Sequence, residues 1–171
     1  FIIFGLIIFI GITGYIDIVK HFIGENYHSG LHIVPILLIA NLFLGIYFNL
    51  SVWYKLKDKT KFGAWMAIGG AIITIILNVL LIPEIGYTGS AIATLVCYLS
   101  MMVVSYFIGR KYYPVPYNLK KIGLYFAIAA LIFLIFTWSN EQAAWIKYSI
   151  NTLLILGFII FATVKENILK I

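Results

Sequence analysis

Long apolar runs broken by short polar stretches organise the whole chain. One such break lies in residues 74–94, TIILNVLLIPEIGYTGSAIAT. An apolar helix should end near Ile82 there. Pro83 lacks an N–H, and the residue before a proline is pushed out of the α region. Gly86 can adopt backbone angles closed to other residues. The next helix then opens with small side chains at Gly89, Ser90, Ala91, Ala93 and Thr94. Small residues let helices approach closely where lipid supplies no hydrophobic drive between them. The stretch is expected to be a membrane hairpin, with Pro83, Gly86, Gly89 and Ser90 as its structural residues.

The other spans are placed by reference to it. A first span covers about residues 1–16, and residues 17–30, DIVKHFIGENYHSG, follow. In a helix Asp17, Lys20 and His21 share one face, away from Ile18, Phe22 and Ile23. That pattern predicts a short interfacial helix closed by Gly24. Further spans are expected at about 31–54, 62–82, 88–108, 122–138 and 145–164. Pro35 falls in the first turn of the second span, where a missing N–H is tolerated. Trp53, Tyr54, Trp138, Trp145 and Tyr148 are read as anchors at the membrane interface. The expected fold is all-α, a polytopic transmembrane bundle of six spans.

Composition sharpens this reading. The chain is 63% hydrophobic and 11% charged, with a mean hydropathy of +1.05. Soluble domains are nearer half apolar and a quarter charged. The net charge of +6 sits in the connecting loops, so no nucleic-acid partner is expected. Lys55, Lys57, Lys59 and Lys61 fall in one loop, KLKDKTK. Arg110, Lys111, Lys120 and Lys121 fall in another, GRKYYPVPYNLKK, and Lys165 and Lys170 follow the last span. Alternating spans put these on one side, leaving Lys20 and Lys147 on the other. The positive-inside rule makes the basic side cytoplasmic, and both ends of the chain with it. The loops serve as topology determinants, or also touch anionic lipid or a pyrophosphate headgroup. Phe1 already lies in an apolar run, with no charged leader, so the chain is expected to be a fragment beginning partway through a helix. KENILKI reads as a natural end.

Candidate chemistry is sparse. No charged residue or histidine lies deep in the second to sixth spans, which argues against a proton relay there. Uncharged polar and small residues are patterned instead. Asn41, Gly45 and Asn49 recur every four residues, as do Gly89, Ala93 and Cys97; Ala67, Ala71, Thr74 and Asn78 follow a helical face. Two readings are open: helix packing with interhelical hydrogen bonds, or a face toward a hydrated path. Under the second, Asn41, Asn49, Thr74 and Asn78 are candidates for a substrate path. Uncharged amides and hydroxyls suit a sugar-bearing substrate. His21, His28, His32 and Glu25 match no common zinc spacing, so no metal site is expected. Cys97 stands alone and reads as a packing residue. No hydrolase signature or P-loop is present, and neither an enzyme activity nor a cofactor is expected.

Two stretches carry a resemblance. They are GLHIVPILLIANLFLGIYFNLSVWYKLKDKTKFGAW and NVLLIPEIGYTGSAIATLVCYLSMMVVSYFIGRKYYPVPY. The pattern of Asn78, Leu81-Ile82-Pro83, Gly86 and Gly89-Ser90-Ala91 is its most telling part, supported by the YKLKDKT loop. Over about residues 15–120 the chain resembles the C-terminal half of bacterial polysaccharide-biosynthesis transporters. These are the oligosaccharide and O-antigen flippases of the multidrug/oligosaccharidyl-lipid/polysaccharide exporter superfamily. The resemblance implies a piece of a transporter of about 12–14 helices that works by alternating access. Residues 1–108 would be the later part of its second bundle, and residues 109–171 two additional C-terminal helices. It implies a phospholipid bilayer in the bacterial inner membrane, an undecaprenyl-pyrophosphate-linked oligosaccharide as cargo, and a missing N-terminal half of the same chain. The cavity charges expected for such a substrate are not matched here, so no substrate-binding residue carries over. Two other functions compete: a multidrug or cation antiporter of the same superfamily, and a membrane-embedded polysaccharide polymerase or ligase.

Overall fold

The computed structural model of the chain describes residues 1–139 and 142–166. Asn140 and Glu141 of the expected SNEQA linker lie outside the described residues, as do Lys170 and most of the KENILKI end.

The described residues are helical with no strand among them. Helix α1 covers Ile2–Gly14 and α2 covers Ile16–Lys20. A 3-10 helix at Glu25–Ile33 leads into α3, Val34–Leu50. Then come α4 (Val52–Leu56), α5 (Lys61–Ile85), α6 (Tyr87–Tyr112), α7 (Leu119–Ser139) and α8 (Ala144–Glu166). Five stretches are long and apolar enough to cross a membrane: Glu25–Leu56, Lys61–Ile85, Tyr87–Tyr112, Leu119–Ser139 and Ala144–Glu166. The expected first span is α1, shorter at 13 residues. The chain is an all-α, multi-pass membrane protein. The flank of α5 bearing Ile72, Ile75, Ile76, Val79 and Leu80 is exposed and wholly apolar, as a lipid-facing surface must be.

Several boundaries differ from the sequence reading. The helix through Pro83 does not stop near Ile82 but runs to Ile85. Proline in the last turn removes a single backbone bond, and membrane helices tolerate that loss where neighbours hold both flanks. The terminator is Gly86, with φ 59° and ψ −140°, whose N–H donates to the Ile82 carbonyl. Gly24 does not close the interfacial segment. Helix α2 ends at Lys20, with His21 as its cap. The expected second span is interrupted at Ser51, between α3 and α4.

The chain divides into two compact units. Unit 1 is residues 1–31 with 118–171, and unit 2 is residues 32–117. The start of the chain falls in unit 1 because α1 packs against α7 and α8. In unit 1 the interior is Leu6, Phe9 and Ile10 against Ile132, Phe136 and Phe158. In unit 2, α6 is the shared helix, packed against α3, α5 and the short α4. Ala40, Met66, Ala91, Ala93 and Cys97 are buried there.

Candidate functional site

The α5–α6 hairpin in unit 2 is held by missing side chains. A Cβ on Gly89 would stand 2.7 Å from the backbone carbon of Leu81. Real contacts never come that close, so only glycine lets the start of α6 lie on the end of α5. Further along, a Cβ on Gly70 would be 2.9 Å from Met101 Sδ and 3.2 Å from Cys97 Sγ. The Cys97 thiol donates to the Gly70 carbonyl at 3.3 Å. The Gly89–Ala93–Cys97 stripe is buried throughout and is a packing seam. Ser90 is half-buried beside it, and its carbonyl accepts from Thr94 Oγ1.

The α3 stripe behaves differently. Asn41 and Asn49 are exposed, and Asn41 Nδ2 donates to the Leu37 carbonyl while Asn49 Nδ2 donates to that of Gly45. Both bonds return to the carbonyl four residues earlier, so neither amide bridges to another helix. The buried positions of α3 are Ala40, Leu42 and Tyr47; Ala40 and Tyr47 lie on the face away from the stripe, and Leu42 borders it one residue past Asn41. On α5, Thr74 Oγ1 donates to the Gly70 carbonyl in the same way. The side-chain oxygen of Asn78 is buried with no hydrogen-bond partner. An unmet buried acceptor costs about 1–3 kcal/mol, so Asn78 is the one path candidate held at an energetic disadvantage. The structure does not gather Asn41, Asn49, Thr74 and Asn78 into one cluster by mutual bonds.

The end of unit 2 that carries the KLKDKTK loop is rich in aromatic rings. Trp53 and Tyr54 were expected at a lipid interface, yet they are 3% and 8% exposed. Trp53 stacks on Tyr112 with centroids 5.2 Å apart and also meets Phe62 at 5.3 Å. Gly109 makes the room: a Cβ there would lie 2.9 Å from the indole nitrogen. The ring packs inside its own unit and not against lipid. Lys59 Nζ sits 3.8 Å from the Tyr112 ring centre. Asp58, in the tight turn of this loop, has φ 53°. Beside these rings lies a cavity of about 310 Å³ between the end of α3, α4, the last turns of α6 and the irregular segment after it.

Unit 1 contains polar contacts that the sequence reading missed. Lys147, assigned only to a loop-side position, is nearly buried and pairs with Asp17. Asn151 is fully buried, donating Nδ2 to the Gly14 carbonyl at 2.7 Å and accepting from Ser139 Oγ at 3.4 Å. The Tyr15 hydroxyl meets Thr152 Oγ1 at 2.6 Å, and Thr152 donates onward to the Tyr148 carbonyl. At the far end of α7 and α8, Tyr125 donates to Glu166, which also pairs with Lys121 at 2.8 Å. An asparagine in an otherwise apolar helix was the one visible signal, at Asn151. Its partners lie 12 and 137 residues away and leave no local trace. Trp138 and Trp145 are exposed, unlike Trp53. His28 caps the end of α2 through the Lys20 and Ile23 carbonyls, and His32 Nε2 meets Thr88 Oγ1 at 2.9 Å. No group of three metal-ligating side chains occurs among the described residues.

Compared with family models, curated proteins and solved structures, the chain matches none.

Proposed function

We propose that the chain is part of a bacterial inner-membrane flippase that turns a lipid-linked oligosaccharide from the inner to the outer leaflet. The observation that carries this reading is the run from Asn78 to Ala91. Its amide, proline and small residues resemble the corresponding hairpin of polysaccharide-biosynthesis transporters, and they fall in two helices long enough to cross a bilayer. Uncharged amides at Asn41, Asn49 and Asn78 support the same reading. They offer hydrogen bonds to sugar hydroxyls without the cost of a fixed charge in the membrane. The basic loop ends of the spans would face the cytoplasm. The parent protein would contribute a further bundle, and the two would rock about a central path.

The test is leaflet translocation of an undecaprenyl-pyrophosphate-linked oligosaccharide by the full-length protein in proteoliposomes. Translocation is expected for the wild type. It should be lost in Asn49→Leu and Asn78→Leu at unchanged expression. Export of a lipophilic cation with no lipid-linked sugar movement would overturn the reading in favour of an antiporter.

A further inference from the structure

The cavity at the basic end of unit 2 has a chemical character of its own. All six lysines and arginines of residues 32–117 lie at this one end: Lys55, Lys57, Lys59, Lys61, Arg110 and Lys111. Asp58 is the only acid there; Glu84 lies at the opposite end of α5. The helices of the unit begin or finish at this level, so in a bilayer the cavity stands at headgroup depth.

The lining is two-sided. Leu50, Val52 and Leu56 offer an apolar wall, and Arg110 is the only charged residue in the lining. No described acid forms an ion pair with Arg110. Two further lining residues, Trp53 and Ser105, are buried with the indole N–H and the hydroxyl unmet by any protein partner. The exposed guanidinium of Arg110, with no described carboxylate on it, is the anion-binding group of this lining. Arginine's planar fork suits phosphate in particular. A soluble anion would leave the apolar wall unused, whereas an amphiphile fills both halves.

We propose that this cavity binds one anionic phospholipid, with its phosphate on Arg110 and its upper acyl chain along Leu50, Val52 and Leu56. The site is independent of the transport reading: it would hold a lipid whether or not the parent protein flips one. Basic residues near a membrane attract anionic lipid generally. The cavity adds a fixed position and a single stoichiometric place.

The experiment is native mass spectrometry of the full-length protein released from detergent. Phosphatidylglycerol is added in one arm, phosphatidylcholine of the same chains in the second, and inorganic phosphate alone in the third. The wild type should retain one more phosphatidylglycerol than Arg110→Gln, whose affinity at this site should fall about tenfold. Lys111→Gln removes the same charge one residue along, outside the cavity lining, and should keep the lipid. Leu56→Trp keeps every charge but fills the exposed mouth, and should lose it. Equal retention of phosphatidylcholine would overturn the proposal, as would an equal loss in Lys111→Gln, which would mean diffuse attraction. Unchanged binding in both Arg110→Gln and Leu56→Trp would overturn it too. Inorganic phosphate that displaces the lipid from the wild type would make this a free-anion site and overturn the lipid assignment.

Discussion

The two units lean on different means to hold their helices together, although Gly14 of unit 1, where a Cβ would lie 2.9 Å from the Phe136 ring, shares the device of unit 2. Unit 2 removes side chains: Gly70, Gly89 and Gly109 let backbone, sulfur and indole come where a Cβ would collide. Unit 1 adds polar bonds: Asp17 to Lys147, Asn151 to the Gly14 carbonyl, Tyr125 to Glu166. In water the hydrophobic effect would gather either set of helices. In lipid it does not, because acyl chains are as apolar as leucine, so association needs close dispersion contact or a hydrogen bond. The first device tolerates no added atom, while the second tolerates loss in proportion to how well the remaining partner can be solvated.

Substitution should separate the two. The largest effect is expected at Gly89→Ala. Its new methyl would press on Leu81 backbone atoms that cannot rotate away, and about 3 kcal/mol should be lost in reversible unfolding in mixed micelles. Gly69→Ala is the matched control. Nothing lies within 4 Å of that position, so the better helix former should gain about 0.5 kcal/mol in the same assay. Destabilisation of both alike would mean that close approach is not what holds unit 2.

In unit 1 the ion pair should respond asymmetrically. Lys147 keeps 11% side-chain exposure and Asp17 49%. Asp17→Asn strands a buried ammonium and should cost about 2 kcal/mol; Lys147→Met leaves a carboxylate that water can reach and should cost about half as much. A double-mutant cycle reads the coupling, and equal single-mutant costs would contradict the burial difference. Asn151→Leu removes a donor to the Gly14 carbonyl and should cost about 1 kcal/mol. Tyr125→Phe should be smallest, about 0.5 kcal/mol, because Lys121 still satisfies Glu166.

Individual residues show where legibility ended. The spans at 62–82 and 88–108 are legible because proline, glycine and lysine punctuate apolar runs locally, although the helix runs on through Pro83 and Gly86 is the actual break. The three stripes looked alike in sequence. Yet Gly89–Ala93–Cys97 is a buried seam, and Asn41–Gly45–Asn49 keeps two exposed amides bonded to their own helix. Trp53 and Trp145 also looked alike, each near a span end. One is enclosed by Tyr112, Phe62 and the gap at Gly109, while the other is exposed.

By itself, the sequence determined that this is a multi-pass helical membrane protein and roughly where each helix starts and stops. Apolar length and chain breakers act within a few residues of where they stand. Only the tertiary structure decided that α1 joins α7 and α8, that Lys147 answers Asp17, and that Trp53 turns inward. A helix apolar on every side carries no periodic mark of which face meets protein and which meets lipid, so those choices rest on contacts between residues far apart in the chain.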